Sequence, residues 1–426
     1  MAGRALLGLG WSAVAIPHNP DADWFKDAKY GVFMHFLPPD AKGLALSEKF
    51  DVEALADQLH QAGAKYLVFT LGQNSGYFNA PNATYDRFTG YSPGEHCARR
   101  DLPLALSGAL HSRGIKLMLY LPCQVPNEDA RAQKAFRLPE GKGDQPLSLE
   151  FAQKWAEVIQ EWSDRYRDKV AGWWFDGGYE HIHFSEAMAQ IYAQAAKHGN
   201  PHAIVTFNPG VRVIHYTQAE DYTAGELNEP FDQVPSSRWL AGSQWHALTF
   251  LGSNWGQRNT RYSGEQWARW VRTVAAAGGV VTLDMGPNYD PLAGPVGSLA
   301  AEQVKQLHSI KLALEQTGAS VCPSDLNALA TAPKWTALEH PDQQVSQLHL
   351  PVRIRFHLLA SSVALRKPTP TLDPDLRFPS DGGFSIFTLT GIVPVFGSIS
   401  KIAVTLPQIA VDPRGVDGER GPLLSF

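Results

Sequence analysis

Between residues 28 and 315, short apolar runs alternate with longer stretches whose apolar positions recur every three or four residues. The short runs, Tyr30 to Phe36, Tyr66 to Leu71, Ile115 to Leu121, Val170 to Phe175, Ala203 to Phe207 and Val280 to Met285, predict buried strands. The longer stretches predict amphipathic helices. Asp51 to Gln61 carries Val52, Leu55, Ala56 and Leu59 on one stripe, with Gly63 placed to cap its end. Further helices are expected over Leu102 to His111, Glu150 to Tyr166, Ser185 to Lys197, Ser263 to Ala277 and Leu299 to Leu314. Strand then helix, seven or eight times over, calls for a parallel sheet with helices outside. Over roughly 290 residues an α/β (β/α)8 TIM-like barrel, typically about 250 residues long, suits the span better than an open doubly wound sheet. No Gly-x-Gly-x-x-Gly follows the first strand, which argues against a dinucleotide fold.

The pattern changes near residue 317. The tail beyond it holds 12 of the 30 Pro, no Tyr and the single Trp335. Its alternating Val, Ile, Leu and Phe, in Gln344 to Leu359 and Phe384 to Thr405, suit short strands. The expected organisation is an N-terminal segment over 1–19, a catalytic (β/α)8 barrel over 20–316, and a small β-rich C-terminal domain over 317–426, complete or truncated at its irregular end. Arg4, the apolar stretch Ala5 to Trp11 and the triplet Ala13-Val14-Ala15 resemble a short secretory signal. A disordered or mis-started N-terminus is the equal alternative, and a secreted or periplasmic location is slightly favoured over a cytoplasmic one.

Composition narrows the partners. With 37 Lys+Arg against 42 Asp+Glu the net charge is -5, so no global field gathers polyanions, and nucleic acid is not an expected partner. Hydrophobic residues at 44% and charged ones at 19% exclude an intrinsically disordered chain. No apolar run reaches the ~18 residues a membrane span needs. Cys97, Cys123 and Cys322 are too few for a disulfide framework or a zinc knuckle, and read as buried thiols with one disulfide as the alternative. Asn82-Ala83-Thr84 fits a glycosylation acceptor, meaningful only in a secreted eukaryotic protein. The aromatic excess is localised, with eleven of twelve Trp and all thirteen Tyr before residue 290.

In a barrel the chemistry sits at the C-terminal ends of the strands. Those ends carry His35, then Gln73 and Asn74, then Tyr120, then Asp176 after Trp173-Trp174-Phe175, then Asn208. The sixth position, near Tyr222, leads to Glu226 and Glu229; the seventh contains Trp245, His246 and Trp255; the eighth ends in Asp284. Two carboxylates on facing strands among Trp, Tyr, His and Asn make a glycosidase-like constellation. Rings stack on sugar C–H faces, amides and His bond the hydroxyls, and hydrolysis needs one carboxylate as nucleophile or base beside one carboxylic acid. The plainer readings are an N-cap for Asp176 and a solvated loop residue for Glu226.

Several segments together resemble the α-L-fucosidases of glycoside hydrolase family 29. Trp24-Phe25-Lys26-Asp27-Ala28-Lys29-Tyr30-Gly31-Val32-Phe33-Met34-His35 is similar to that family's first-strand signature. Phe50-Asp51 through Ala62-Gly63-Ala64-Lys65-Tyr66 resembles its helix and turn into the second strand, and Gly278-Gly279 to Asp284-Met285-Gly286-Pro287 its eighth strand. Trp174-Phe175-Asp176-Gly177 is similar to the nucleophile strand, which implies that Asp176 is the nucleophile. Asp221-Tyr222-Thr223-Ala224-Gly225-Glu226-Leu227 aligns with one branch's acid/base segment, which implies Glu226 as acid/base, with Glu229 in reserve. The chain departs where the family has Lys-His-His-Asp-Gly-Phe, carrying Gly72-Gln73-Asn74-Ser75-Gly76-Tyr77 instead. It also has Phe36 for a Trp, and Asn208-Pro209-Gly210 where an Arg is often found.

The resemblance implies a retaining exo-glycosidase acting on a terminal α-L-fucose or a stereochemically related sugar of an oligosaccharide or glycoconjugate. His35, Gln73, Asn74, Tyr120, Trp173, Asn208, Glu229 and Trp255 are the expected substrate contacts. Trp174 is expected in the barrel core, and Asp284 in a structural role. His181 and His183 are expected at the pocket mouth, and no metal or organic cofactor is expected. Two alternatives remain: a non-catalytic carbohydrate-binding relative, and a hydrolase of the same mechanism for another sugar.

Overall fold

The computed structural model describes residues 18–124, 126–138 and 145–316, with the backbone alone of Leu389–Val395 and Ser398–Val404. Seven strands form one sheet: β1 Tyr30–Met34, β2 Tyr66–Thr70, β3 Lys116–Pro122, β4 Val170–Asp176, β5 Ile204–Phe207, β6 His246–Phe250 and β7 Val280–Met285. Their order is β5-β4-β3-β2-β1-β7-β6, and every neighbouring pair is parallel. This is the α/β, TIM-like architecture that the alternating pattern predicts.

The sixth expected strand is not regular. Residues 221–227 lie between β5 and β6 and are hydrogen-bonded to both. Asp221 N–H donates to Val205 O at 2.8 Å, while Val205 N–H donates to the Asp221 carboxylate at 2.8 Å. On the other flank Leu227 N–H donates to Leu248 O, and Leu248 N–H to Gly225 O, each at 2.8 Å. A side-chain oxygen thus replaces a backbone acceptor on one edge, and the ladder is interrupted where the sixth barrel strand would be.

The helices start and stop where side chains can satisfy their ends. Asp51, Asp101, Ser148, Ser185 and Ser263 each accept a backbone N–H of the first turn, and Ser263 with Gln266 completes a reciprocal capping box. Losing one such cap costs about 1 kcal/mol. The helix Val52–Ala62 ends at Gly63, which adopts the left-handed backbone expected of it.

Strand alternation divides the apolar residues into two cores. One lies between strands and helices and buries Trp155, Trp162, Trp267 and Trp270 completely. A Trp→Ala change there is expected to cost about 3–5 kcal/mol. The other fills the barrel interior with Phe33, Tyr66, Met118, Tyr120, Trp174, Tyr222 and Leu248, with Phe25 also in this cluster. At the N-terminal ends of the strands the interior closes on a polar knot. His246 Nδ1 meets Thr223 O at 2.8 Å, its Nε2 meets Thr282 Oγ1 at 2.6 Å, and Tyr66 hydroxyl bonds the same Oγ1 at 2.7 Å.

Asn82 is fully buried. It caps the helix Ala83–Thr89 and donates to Val158 O at 2.9 Å, so the acceptor motif read there is closed to glycosylation in the folded protein. Cys97 and Cys123 are free, buried thiols; Cys322 lies outside the described residues. The 1–19 segment is described only from His18 onward. Of the C-terminal domain expected over 317–426, only an antiparallel pair is described, β8 Leu389–Val395 with β9 Ser398–Val404, and the rest lies outside the described residues. No helix among the described residues is long and apolar enough to cross a membrane.

Candidate active site

The C-terminal end of β4 delivers Asp176. Counting back by two, Trp174 shares its side of the strand, and both line one cavity. Three donors converge on the Asp176 carboxylate. Tyr120 hydroxyl donates to Oδ2 at 2.7 Å, and Gly177 N–H and Asn208 Nδ2 donate to Oδ1 at 2.8 and 2.9 Å. Gln73 Nε2 in turn donates to the Tyr120 oxygen at 2.8 Å, which leaves that hydroxyl hydrogen free for Asp176.

Glu226 arrives from the irregular segment. Gly225 before it has φ of 64°, and a Cβ there would lie 1.9 Å from His246 O. Glycine is therefore required for the segment to press against β6, and this approach brings Glu226 to the cavity. Glu226 Oε2 accepts from Asn208 Nδ2 at 2.5 Å, so a single amide nitrogen serves both carboxylates. Burial, then the nearby Asp176 charge, push the Glu226 carboxyl up to about 7, against the opposing pull of Asn208 and His35.

His35 lies just past β1. Burial lowers its proton affinity, but the carboxylates of Asp284, Asp176 and Glu226 outweigh this and leave the ring above the usual histidine range. The strongest partner is Asp284, whose Oδ1 sits 2.7 Å from His35 Nδ1 and whose Oδ2 accepts the Gly256 N–H at 2.6 Å. One buried carboxylate thereby ties the end of β1 to the loop carrying Trp255.

These groups open into a cavity of about 380 Å³. Its polar side is His35, Gln73, Tyr120, Asp176 and Glu226, and its apolar side is Phe33, Leu37, Trp174, Tyr179, Leu248 and Trp255. Tyr120 stacks on Trp174 with ring centres 5.6 Å apart, and Trp255 meets His35 edge-on at 5.8 Å. A second cavity, of about 330 Å³, is lined by Lys116, Asp168, Lys169 and His111 at the opposite strand ends, and no pair of carboxylates converges there.

Of the residues expected at the site, Asp176, Glu226, His35, Gln73, Tyr120 and Trp255 come together. Four do not line the cavity. Trp173 is 1% exposed, stacks on Phe175 and faces the helices; its neighbour Trp174 takes the place expected of it. Asn74 holds the Glu128 N–H through its carbonyl at 2.9 Å. Glu229 is exposed and accepts from Tyr262 hydroxyl at 2.6 Å. Asn208 is completely buried, with its Nδ2 donating to both carboxylates. Trp174 was readable in advance, since alternation from Asp176 puts Trp174 and not Trp173 on its face. Tyr179 gave no such signal, because it follows a turn. His181 stacks on Tyr179 with ring centres 5.2 Å apart. Among the described residues no group of three or more His, Cys, Asp or Glu could hold a metal ion.

The sequence model of the family described as alpha-L-fucosidase matches residues 41–318. No curated protein matches the chain. Among solved structures, an endo-fucoidan hydrolase of glycoside hydrolase family 107 is 16% identical with a TM-score of 0.57; the match covers 70% of this chain and 54% of that one. The chain thus spans about half the length of that enzyme. An alpha-L-fucosidase from Lactobacillus casei, in complex with alpha-L-fucose product, is 17% identical with a TM-score of 0.51, covering 70% of this chain and 99% of that one. A family 29 alpha-L-fucosidase from Bacteroides thetaiotaomicron, solved as a trapped covalent intermediate, is 16% identical with a TM-score of 0.51, covering 74% and 78%. At these identities the structural likeness speaks for the fold.

Proposed function

The chain belongs to the alpha-L-fucosidase family, a family of glycosidases, and from that premise we propose that it is a retaining exo-glycosidase releasing a terminal α-L-fucose or a stereochemically related sugar. The observation that carries this reading is the pair of carboxylates bonded to one nitrogen at the cavity floor. Their nearest oxygens can be no further apart than those two bonds laid end to end. That bound supports the retaining reading, being close to the about 5–5.5 Å of a double-displacement pair and below the roughly 6.5–9.5 Å of inverting pairs.

The roles divide by environment. Asp176, with three donors, is held as the carboxylate that attacks the anomeric carbon. Glu226, with its proton affinity raised to about 7, delivers a proton to the departing glycosidic oxygen. The bond from the anomeric carbon to that oxygen breaks as the bond to Asp176 forms. In the second half, Glu226 takes a proton from water, whose oxygen displaces Asp176 and restores the starting configuration. His35 and Gln73 are placed to bond sugar hydroxyls, and the apolar wall suits a ring face or a methyl substituent. A cavity of this size, rather than a long groove, supports release of one terminal unit.

The test is a panel of nitrophenyl glycosides with Asp176→Ala as control, the configuration of the first-formed product being followed by NMR. Turnover of the α-L-fucoside with retained configuration, abolished by Asp176→Ala, is expected. An inverted product would refute double displacement. Turnover of a different glycoside would keep the mechanism and change the sugar, and sugar binding without turnover would make the protein a lectin-like relative.

A further inference from the structure

Hydrolysis by two carboxylates does not by itself require anything beneath them, yet Asn208 fills that position with every polar group engaged. Its Oδ1 accepts the Gly210 N–H at 3.1 Å, which fixes the amide orientation and turns Nδ2 toward the carboxylates. An amide nitrogen carries two hydrogens, and here they are divided between Asp176 Oδ1 at 2.9 Å and Glu226 Oε2 at 2.5 Å. The backbone is held as firmly, with its N–H on Phe175 O at 2.7 Å and its carbonyl accepting Gly178 N–H at 2.8 Å. Asn208 is thus fastened to the end of β4 on both sides of Asp176 and is buried from solvent.

We propose that Asn208 is a positioning residue that clamps the two carboxylates at a fixed spacing and directs the acid proton of Glu226 to the oxygen facing the substrate. The proposal rests on reading Asp176 and Glu226 as the reacting pair. Its logic is one of donors and acceptors. Glu226 Oε2 already accepts the Asn208 N–H, so a proton on Glu226 belongs on Oε1, which among the described residues has no hydrogen bond to the protein. That is the oxygen from which it can be given to a leaving group. The same nitrogen offsets part of the repulsion between two carboxylates held this close. When Asp176 becomes an ester it loses its charge, and the Asn208 dipole then favours an ionised Glu226, the state that must accept a proton from water. The clamp therefore assists the change of Glu226 from acid to base between the two halves of the reaction.

The experiment compares wild type with Asn208→Ala and with Asn208→Ser, which keeps one donor, on the glycoside the enzyme turns over. It records kcat, KM, the pH profile, the melting temperature and an NMR titration of the carboxyl-labelled Glu226. Asn208→Ala is expected to lower kcat about tenfold to a hundredfold with KM changed less than about twofold, because the residue does not touch the sugar. The alkaline limb of kcat and the Glu226 titration should both move up by roughly one pH unit, with Asn208→Ser between Asn208→Ala and wild type. A folded Asn208→Ala with unchanged kcat and titration overturns the clamp, and so does a loss confined to KM, which would make Asn208 a sugar contact. If Asn208→Ala does not fold, Asn208→Ser decides on the same two readouts. Asp176→Ala, assayed alongside, separates the two claims. An inactive Asp176→Ala with an unaffected Asn208→Ala removes only the clamp. A fully active Asp176→Ala removes the carboxylate assignment beneath it.

Discussion

At the lower end of the barrel interior His246 has both ring nitrogens engaged, by Thr223 O and Thr282 Oγ1. At the upper end Glu226 has one donor and shares it with Asp176. His246 is buried and Glu226 largely so at the cavity edge, and desolvation disfavours the charged form of each, but the outcomes run in opposite directions. His246 is lowered to about 4 and stays neutral at physiological pH, with its hydrogen bonds complete. Glu226 is raised to about 7 and sits at the edge of ionisation, with one oxygen uncommitted. A polar cluster that satisfies itself closes the barrel, whereas one left partly unsatisfied beside a cavity is poised to exchange a proton.

The contrast is sharpest as a difference in stability. The Glu226 carboxyl lies above its ordinary 4.5 in the fold, so the unfolded chain gives up its proton first. The fold loses stability as pH rises from about 4.5 to 7, by about 3 kcal/mol in all. Glu226→Gln should therefore lower kcat/KM by about 10²–10⁴ and abolish the alkaline limb near pH 7. It should also raise stability at pH 8 by up to about 3 kcal/mol in urea unfolding. A variant that is less active and also less stable would break the comparison.

At the other end the expected signs reverse. His246→Leu leaves Thr223 O without its partner and the Thr282 hydroxyl with Tyr66 alone, at a cost of about 2–4 kcal/mol at pH 8, with activity per folded molecule unchanged. In wild type the depressed pKa makes the unfolded chain bind a proton that the fold refuses. The His246 contribution is then fully present above about pH 6.5 and is lost by pH 4, a change of about 3 kcal/mol. Because the Glu226 contribution runs the other way over the same interval, the readout is the difference between wild type and His246→Leu in urea unfolding, which should shift by most of that amount between pH 7 and pH 4.5. The smallest effect is expected at the junction between acid site and scaffold. Asp284→Asn removes the first of the charges that raise His35, so the ring should titrate lower by NMR and kcat/KM should fall roughly tenfold.

Much of this molecule was legible before folding was considered. The helix Val52–Ala62 follows from one apolar stripe, an Asp N-cap and a glycine stop, all within a dozen residues. Asp176 was legible too, as a lone carboxylate closing an apolar strand. The sixth barrel position was legible only as the approach to Glu226 and not as an irregular segment, because its link to β5 runs through the Asp221 side chain. Trp174 fills the barrel interior as expected and also lines the cavity, whereas Trp173, expected at the sugar, lies on the helix-facing side of the strand. The position of Asn208 at the end of a strand marks it for the site, but its bonds to two carboxylates distant in sequence are visible only in the fold.

Sequence alone determined which residues could do the chemistry and the order in which strands would present them. It also determined the ends of helices such as Val52–Ala62, because those signals are local and act through neighbouring backbone groups. Only the tertiary structure decided that one amide nitrogen would join Asp176 to Glu226, that Glu229 would stay outside, and that the proton affinity of Glu226 would be raised and that of His246 lowered. The physical reason is that proton affinity belongs to an environment. The same carboxyl or imidazole takes its behaviour from burial, from the charges facing it and from whether its last hydrogen bond is made.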